Sequence, residues 1–137
     1  MNLKGQNVAI EQILVFVAGV SMFLVFIGVF QSYQGSYGEL AKKDVLDSVA
    51  NLLYGELVKV SGLENGTLEL AIPRDAAGEE YQIRLSADGL NVSGLLSQEY
   101  SFTTVRALDG FQLDGRAASL HGRVTINRRD TKIILFQ

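Results

Sequence analysis

His121 is the only histidine of the chain and cysteine is absent, so the side chains that most often hold zinc, copper or iron are almost missing. The carboxylates are scattered over turns and polar helix positions. They lack the oxygen-ligand spacing of a calcium loop and the paired histidines of a zinc protease. No Gly-x-Ser-x-Gly elbow, phosphate-binding loop or dinucleotide fingerprint occurs. A hydrolase built on two carboxylates that converge only in the fold leaves no linear signature, and nothing in the pattern asks for one. The expectation is a protein with no catalytic residue, no metal and no cofactor. His121, within SLHGR, is expected to be an exposed or hydrogen-bonded loop residue.

Other polar stretches have simpler readings. Leu108 to Gly115 reads LDGFQLDG, and Asp-Gly is turn chemistry; two turns flanking an exposed Phe111 are expected, because two carboxylates are too few for calcium. Arg128, Arg129 and Asp130 are expected at a solvated hairpin tip. Asn65-Gly66-Thr67 and Asn91-Val92-Ser93 are acceptor sequons, usable for N-glycosylation only where they meet the machinery on an exposed surface. The net charge is -3, and the Lys and Arg residues form no run of the kind that neutralises phosphates. Nucleic acid is not an expected partner.

The elements around these residues change character along the chain. From Ile13 to Phe30, Ser21 is the only polar side chain and no residue is charged. As a helix this run is about 27 Å long, enough to cross a bilayer's hydrocarbon. It is too long for an ordinary secretory signal, and GVFQSYQGSYG after it lacks an Ala-x-Ala cleavage pattern. Phe16, Phe23, Phe26 and Phe30, among Val and Leu, make it bulky on nearly all sides, which suits lipid or the core of a helical bundle. QSYQGSYG, with Gly35 and Gly38, can act as a joint or a locally melted stretch. An amphipathic helix is expected from about Glu39 to Val60, its apolar face formed by Val45, Leu46, Val49, Leu52, Leu53 and Val60.

From Thr67 the hydrophobic period shifts to 2. TLELAI, YQIRL, GLNV, YSFTTV, RVTI and KIILF predict about six strands, with turns at Glu64-Asn65-Gly66, Pro73-Arg74-Asp75, Asp88-Gly89 and NRRD. The fold class is therefore α+β: a long N-terminal hydrophobic helix, an amphipathic helical segment, and a small antiparallel β-rich head, sheet or sandwich.

The N-terminus adds a more specific pattern. Lys4 and Gly5 precede Gln6, followed by a short polar stretch with Glu11 and then the apolar run. This resembles the N-terminus of archaeal type IV pilin-like proteins with a class III signal peptide. The order L-x-L-x-I-P, Gly, Y-x-I-x-L, G-L-x-V, here Leu68 to Pro73, Gly78, Tyr81 to Leu85 and Gly89 to Val92, is similar to the β-rich head of many of them. The resemblance implies cleavage between Gly5 and Gln6 by a membrane-embedded prepilin peptidase, Lys4 being the preceding basic residue. It divides the chain into a leader (1–5), a membrane-spanning and filament-core helix (6–34), a linker with the amphipathic helix (35–63) and an extracellular head (64–137). Gln6 then takes the first mature position, and Glu11 the sixth where the family pattern has glutamate fifth. Glu11 either pairs with the freed amine of a neighbouring subunit during assembly or stays hydrated at headgroup depth.

The implied function is that of a major or minor pilin-like subunit, held in the cytoplasmic membrane before assembly. Its helix, through Phe16, Phe23, Phe26 and Phe30, would then pack with itself or related pilins in a surface filament. The implied partners are the prepilin peptidase, an assembly platform and its ATPase, and the head would carry any adhesive role. Lys4 and the initial amine before the span and Lys42 and Lys43 after it leave the charge rule for orientation undecided; the resemblance places the head outside. The alternative is an uncleaved, singly anchored extracellular binding or accessory module. An anchored enzyme would need carboxylates gathered around His121.

Overall fold

The computed structural model describes residues 3–137, with side chains from Ile10 onward. The chain comprises two compact units, Met1–Tyr37 and Gly38–Gln137. Helix α1 is Leu3–Ser61, and residues 35–38 are helical, so the glycines do not break it. Between Ile10 and Phe30 every residue is exposed, and the helix is long and apolar enough to cross a membrane.

In the second unit the C-terminal part of α1 covers one face of a seven-stranded open sheet. The strands are β1 (Asn65–Ala71), β2 (Tyr81–Ser86), β3 (Gly89–Gly94), β4 (Tyr100–Thr103), β5 (Gln112–Ala118), β6 (Arg123–Arg129) and β7 (Lys132–Phe136). Their spatial order is β1-β6-β7-β5-β2-β3-β4. All neighbours are antiparallel except β5 and β7. The chain leaves β5 through a short 3-10 turn, Ser119–His121, enters β6 one place further along, and returns by a hairpin as β7 in the vacant position. Two reversals give β7 the direction of β5.

Period-2 patterning sets the core. Ile83, Leu85, Leu90, Val92, Val124, Ile126, Ile133 and Leu135 point to the helix side and are buried. Opposite them the helix buries Leu46, Val49, Ala50, Leu53, Leu57 and Val60, a spacing of three and four that keeps one stripe inward. Complete burial of each Leu or Val contributes about 1.5–3 kcal/mol. Leu52, expected on this face, is exposed, whereas Ala50 and Leu57 are inside. Leu52 lies about 100° around the helix from Leu53, beyond the width of the sheet-facing stripe.

The head contains one strand more than the alternation indicated. Asp114-Gly115, expected as a turn, lies inside β5, where Gly115 is opposite both Leu85 and Leu135. Gly115 has φ +149° and a Cβ there would overlap the Leu135 backbone, so this glycine serves close strand approach instead of a turn. Phe111 is half-buried against the core, correcting its expected exposure. The first half of the motif, Asp109-Gly110, does form a turn, with Gly110 at φ +97°. Asn65 and Gly66, expected in a turn, begin β1; the chain reverses at Gly62–Glu64.

Candidate functional site: an apolar helix face and a latched head

Lys4, Gly5 and Gln6, the expected processing residues, lie outside the residues whose side chains are described. Glu11 is exposed, as are Phe16, Phe23, Phe26 and Phe30, each by more than three-fifths of its surface. The four Phe residues are spaced seven, three and four apart, which on a helix places them on a single stripe. Tyr33 and Tyr37 continue it, their rings stacked 6.5 Å apart, and Gly19 lies in the same line. The aromatic rings therefore share one seam, while exposed Leu14, Val20, Leu24, Val25 and Ile27 carry aliphatic bulk around the rest of the helix. Ala18, Ser21, Gly28, Ser32 and Gly35 follow the same three-four spacing about half a turn away, with Val25 among them, forming a face of mostly small residues. A Cβ at Gly19, Gly28 or Gly35 would meet nothing within 4 Å. The chain's own packing requires none of these glycines, although each weakens the helix by about 1 kcal/mol relative to Ala.

In the head, Glu79 accepts from three donors. The Lys42 ammonium on α1 donates to its Oε2 at 2.8 Å, while the backbone N–H groups of Leu96 and Ser97 donate to Oε1, each at 2.6 Å. The carboxylate is nearly buried. The Lys42 hydrogen bond first, then the two N–H donors, hold its pKa down to about 2, against an opposing effect of burial. Glu79 thus latches the helix to the loop after β3. Gly94 supplies the room, because a Cβ there would meet the Glu79 carboxylate at 2.7 Å.

The latch has a pH signature. A carboxylate whose pKa is lower folded than unfolded stabilises the folded state above its unfolded value and loses that contribution as pH falls. From 4.5 to about 2, the head of the unmodified protein should lose stability on acidification. Glu79→Gln should be less stable at neutral pH and show a flatter pH profile over that window, measured by thermal unfolding. Parallel profiles for the two proteins would refute the latch.

Tyr81 is buried, its O–H donates to the Pro73 carbonyl at 2.6 Å, and its N–H donates to Oγ of the fully buried Ser119. Burial, with the charge of Asp75, pushes its phenol up to about 12. Arg128 corrects the expectation of a solvated tip. Its guanidinium turns inward, donates to the Ser61 carbonyl at the end of α1 and to the Leu63 carbonyl just beyond it, and lies 4.8 Å from the Phe111 ring centre. At Ser61 it satisfies a carbonyl that the helix end leaves without a partner, and it places positive charge at the negative end of the dipole. Arg129 and Asp130 remain exposed. Sequence reasoning missed Glu79 and Arg128 because their partners are 37 and 65 to 67 residues away.

The two sequons differ. Asn65 is exposed on the edge strand β1, with Oδ1 accepting from the Asp130 N–H at 3.1 Å. Asn91 is half-buried in β3, paired on both sides, and its Oδ1 is enclosed without a partner. His121 is exposed in its 3-10 turn. Among the described residues, no three His, Cys, Asp or Glu side chains gather as a metal site.

Comparison with protein-family models, with curated proteins and with solved structures finds no match. What the fold itself establishes is a long apolar N-terminal helix followed by a β-sheet head, the general order of elements in type IV pilin-like proteins.

Proposed function

We propose that the chain is the structural subunit of an archaeal type IV pilus-like surface filament, cut between Gly5 and Gln6 and assembled through its apolar helix. The observation that supports this most is the pair of dissimilar faces on α1, aromatic on one side and small-residue on the other. A helix that only anchors a domain in lipid has no need of such a division. Identical helices can dock the aromatic seam of one copy against the low face of the next. That contact uses different patches on the two partners, so it repeats without closing, and small residues permit the close approach that drives association of apolar helices.

Before assembly the same helix would hold the subunit in the membrane with its head outside. The partners implied are the prepilin peptidase, an assembly platform with its ATPase, and copies of this chain or related pilins. Asn65, exposed at a sheet edge, is the favoured glycan acceptor of the two sequons.

The test is the N-terminal sequence and intact mass of the native protein, from membranes and from material sheared off cells. A chain starting at Gln6 in the sheared fraction is expected. A chain retaining Met1 to Gly5 and confined to membranes would overturn the proposal in favour of a permanently anchored module.

A further inference from the structure

The sheet face turned away from the helix has a charge distribution opposite to that of the chain as a whole. The net charge is -3, yet β2 and β5 place Arg84 directly opposite Arg116, and β6 and β7 place Arg129 directly opposite Lys132. All four side chains are exposed. Among the described residues the ion pairs are Lys42–Glu79, Lys59–Glu56 and Arg123–Glu69, so neither cross-strand pair has a carboxylate partner. Like charges directly opposite one another weaken a sheet, and an anion between them removes that cost.

We propose that this face binds an acidic polysaccharide, whose carboxylates sit at the Arg84–Arg116 and Arg129–Lys132 pairs. Residues 112 and 116 of β5 mark the two rows, about 13 Å apart along the strands, so an extended polymer, not a single small anion, engages both. Between and beside the pairs the face carries Gln112, Asn127 and Ser93, whose amides and hydroxyl suit a hydroxyl-rich chain, and one exposed carboxylate, Asp114, between the two rows, which leaves the basic side chains in excess. Phe102 and Tyr100 on the edge strand β4 are more than half exposed and give sugar rings a flat apolar surface. The hydroxyl-matching groups favour a polysaccharide over a nucleic acid, whose recognition rests on phosphates and base stacking. The proposal gives the filament's adhesive role a ligand, and it rests on the head being outside the cell.

The experiment uses the full chain in neutral detergent micelles, with binding to immobilised polygalacturonate measured against neutral dextran and oligothymidylate. Saturable, salt-sensitive binding to polygalacturonate is expected, with none to dextran. Arg84→Gln with Arg116→Gln, and separately Arg129→Gln with Lys132→Gln, should each weaken it by about tenfold or more, since a charge-assisted hydrogen bond is worth that much. Thermal midpoints of both variants should be unchanged or higher. Undiminished binding in the variants, or no saturable binding, overturns the proposal. So does tighter binding to oligothymidylate, or salt-sensitive self-association abolished by the same substitutions, which would make a second copy the occupant. Because the readout is independent of cleavage and filament formation, failure here leaves the filament reading standing, and failure of that reading leaves this one measurable.

Discussion

Replacing Phe26 with Asp is expected to abolish filaments while the protein stays in the membrane fraction. Phe26 lies in the aromatic seam, between Phe23 and Phe30. An aspartate at the centre of a membrane helix costs about 2.5–3.5 kcal/mol on insertion scales, and the surrounding Leu, Ile, Val and Phe offset this. Packed against a neighbouring helix the same carboxylate has no partner, and an unpaired buried charge costs several kcal/mol in each subunit contact. Phe23→Asp should behave alike, whereas Phe26→Leu should retain filaments, since an apolar replacement costs far less. The check is filament abundance in the sheared fraction alongside protein abundance in membranes. Filaments of normal abundance with Asp at position 26 would show that the seam faces no neighbour.

The second large effect is expected in the head. Gly115→Val should unfold it or lower its thermal midpoint by tens of degrees. At φ +149° a Cβ would collide with the Leu135 backbone, only 2.6 Å from its amide nitrogen, and backbone cannot swing aside as a flexible side chain can. Backbone strain of about 1–3 kcal/mol adds to overpacking of about 1–3 kcal/mol. The total is a large share of the 5–15 kcal/mol that typically stabilises a domain, and each kcal/mol shifts the midpoint of a domain this size by about 4–8 °C. Gly110→Ala provides the comparison, because Gly110 also has positive φ but open space around its Cβ position. It should suffer the strain alone. Equal midpoints for the two variants would refute the close pairing of β5 with β7.

The elements that were legible in the residues are those whose signal is local. The apolar run from Ile13 to Phe30, the amphipathic stretch ending at Val60 and the alternation in TLELAI, YQIRL and KIILF each repeat with the period of a helix or strand. A short window is therefore enough to read them. The aromatic seam was equally present in the spacing of Phe16, Phe23, Phe26 and Phe30; it became visible once the helix was continuous through Tyr37 and its two faces could be compared.

Tertiary structure decided what depends on distant partners. LDGFQLDG contains two Asp-Gly pairs, and locally both read as turns. Only the insertion of β5 between β2 and β7 makes the second a strand, because Gly115 alone permits the approach of Leu135. Glu79 needs Lys42 from the helix, and Arg128 needs the Ser61 carbonyl at its end. Arg84 and Arg116 are 32 positions apart in the chain and meet only through strand register. Sequence spacing determines the face on which a side chain emerges; which charges stand opposite one another depends on strand order, and that is set by packing of the whole head.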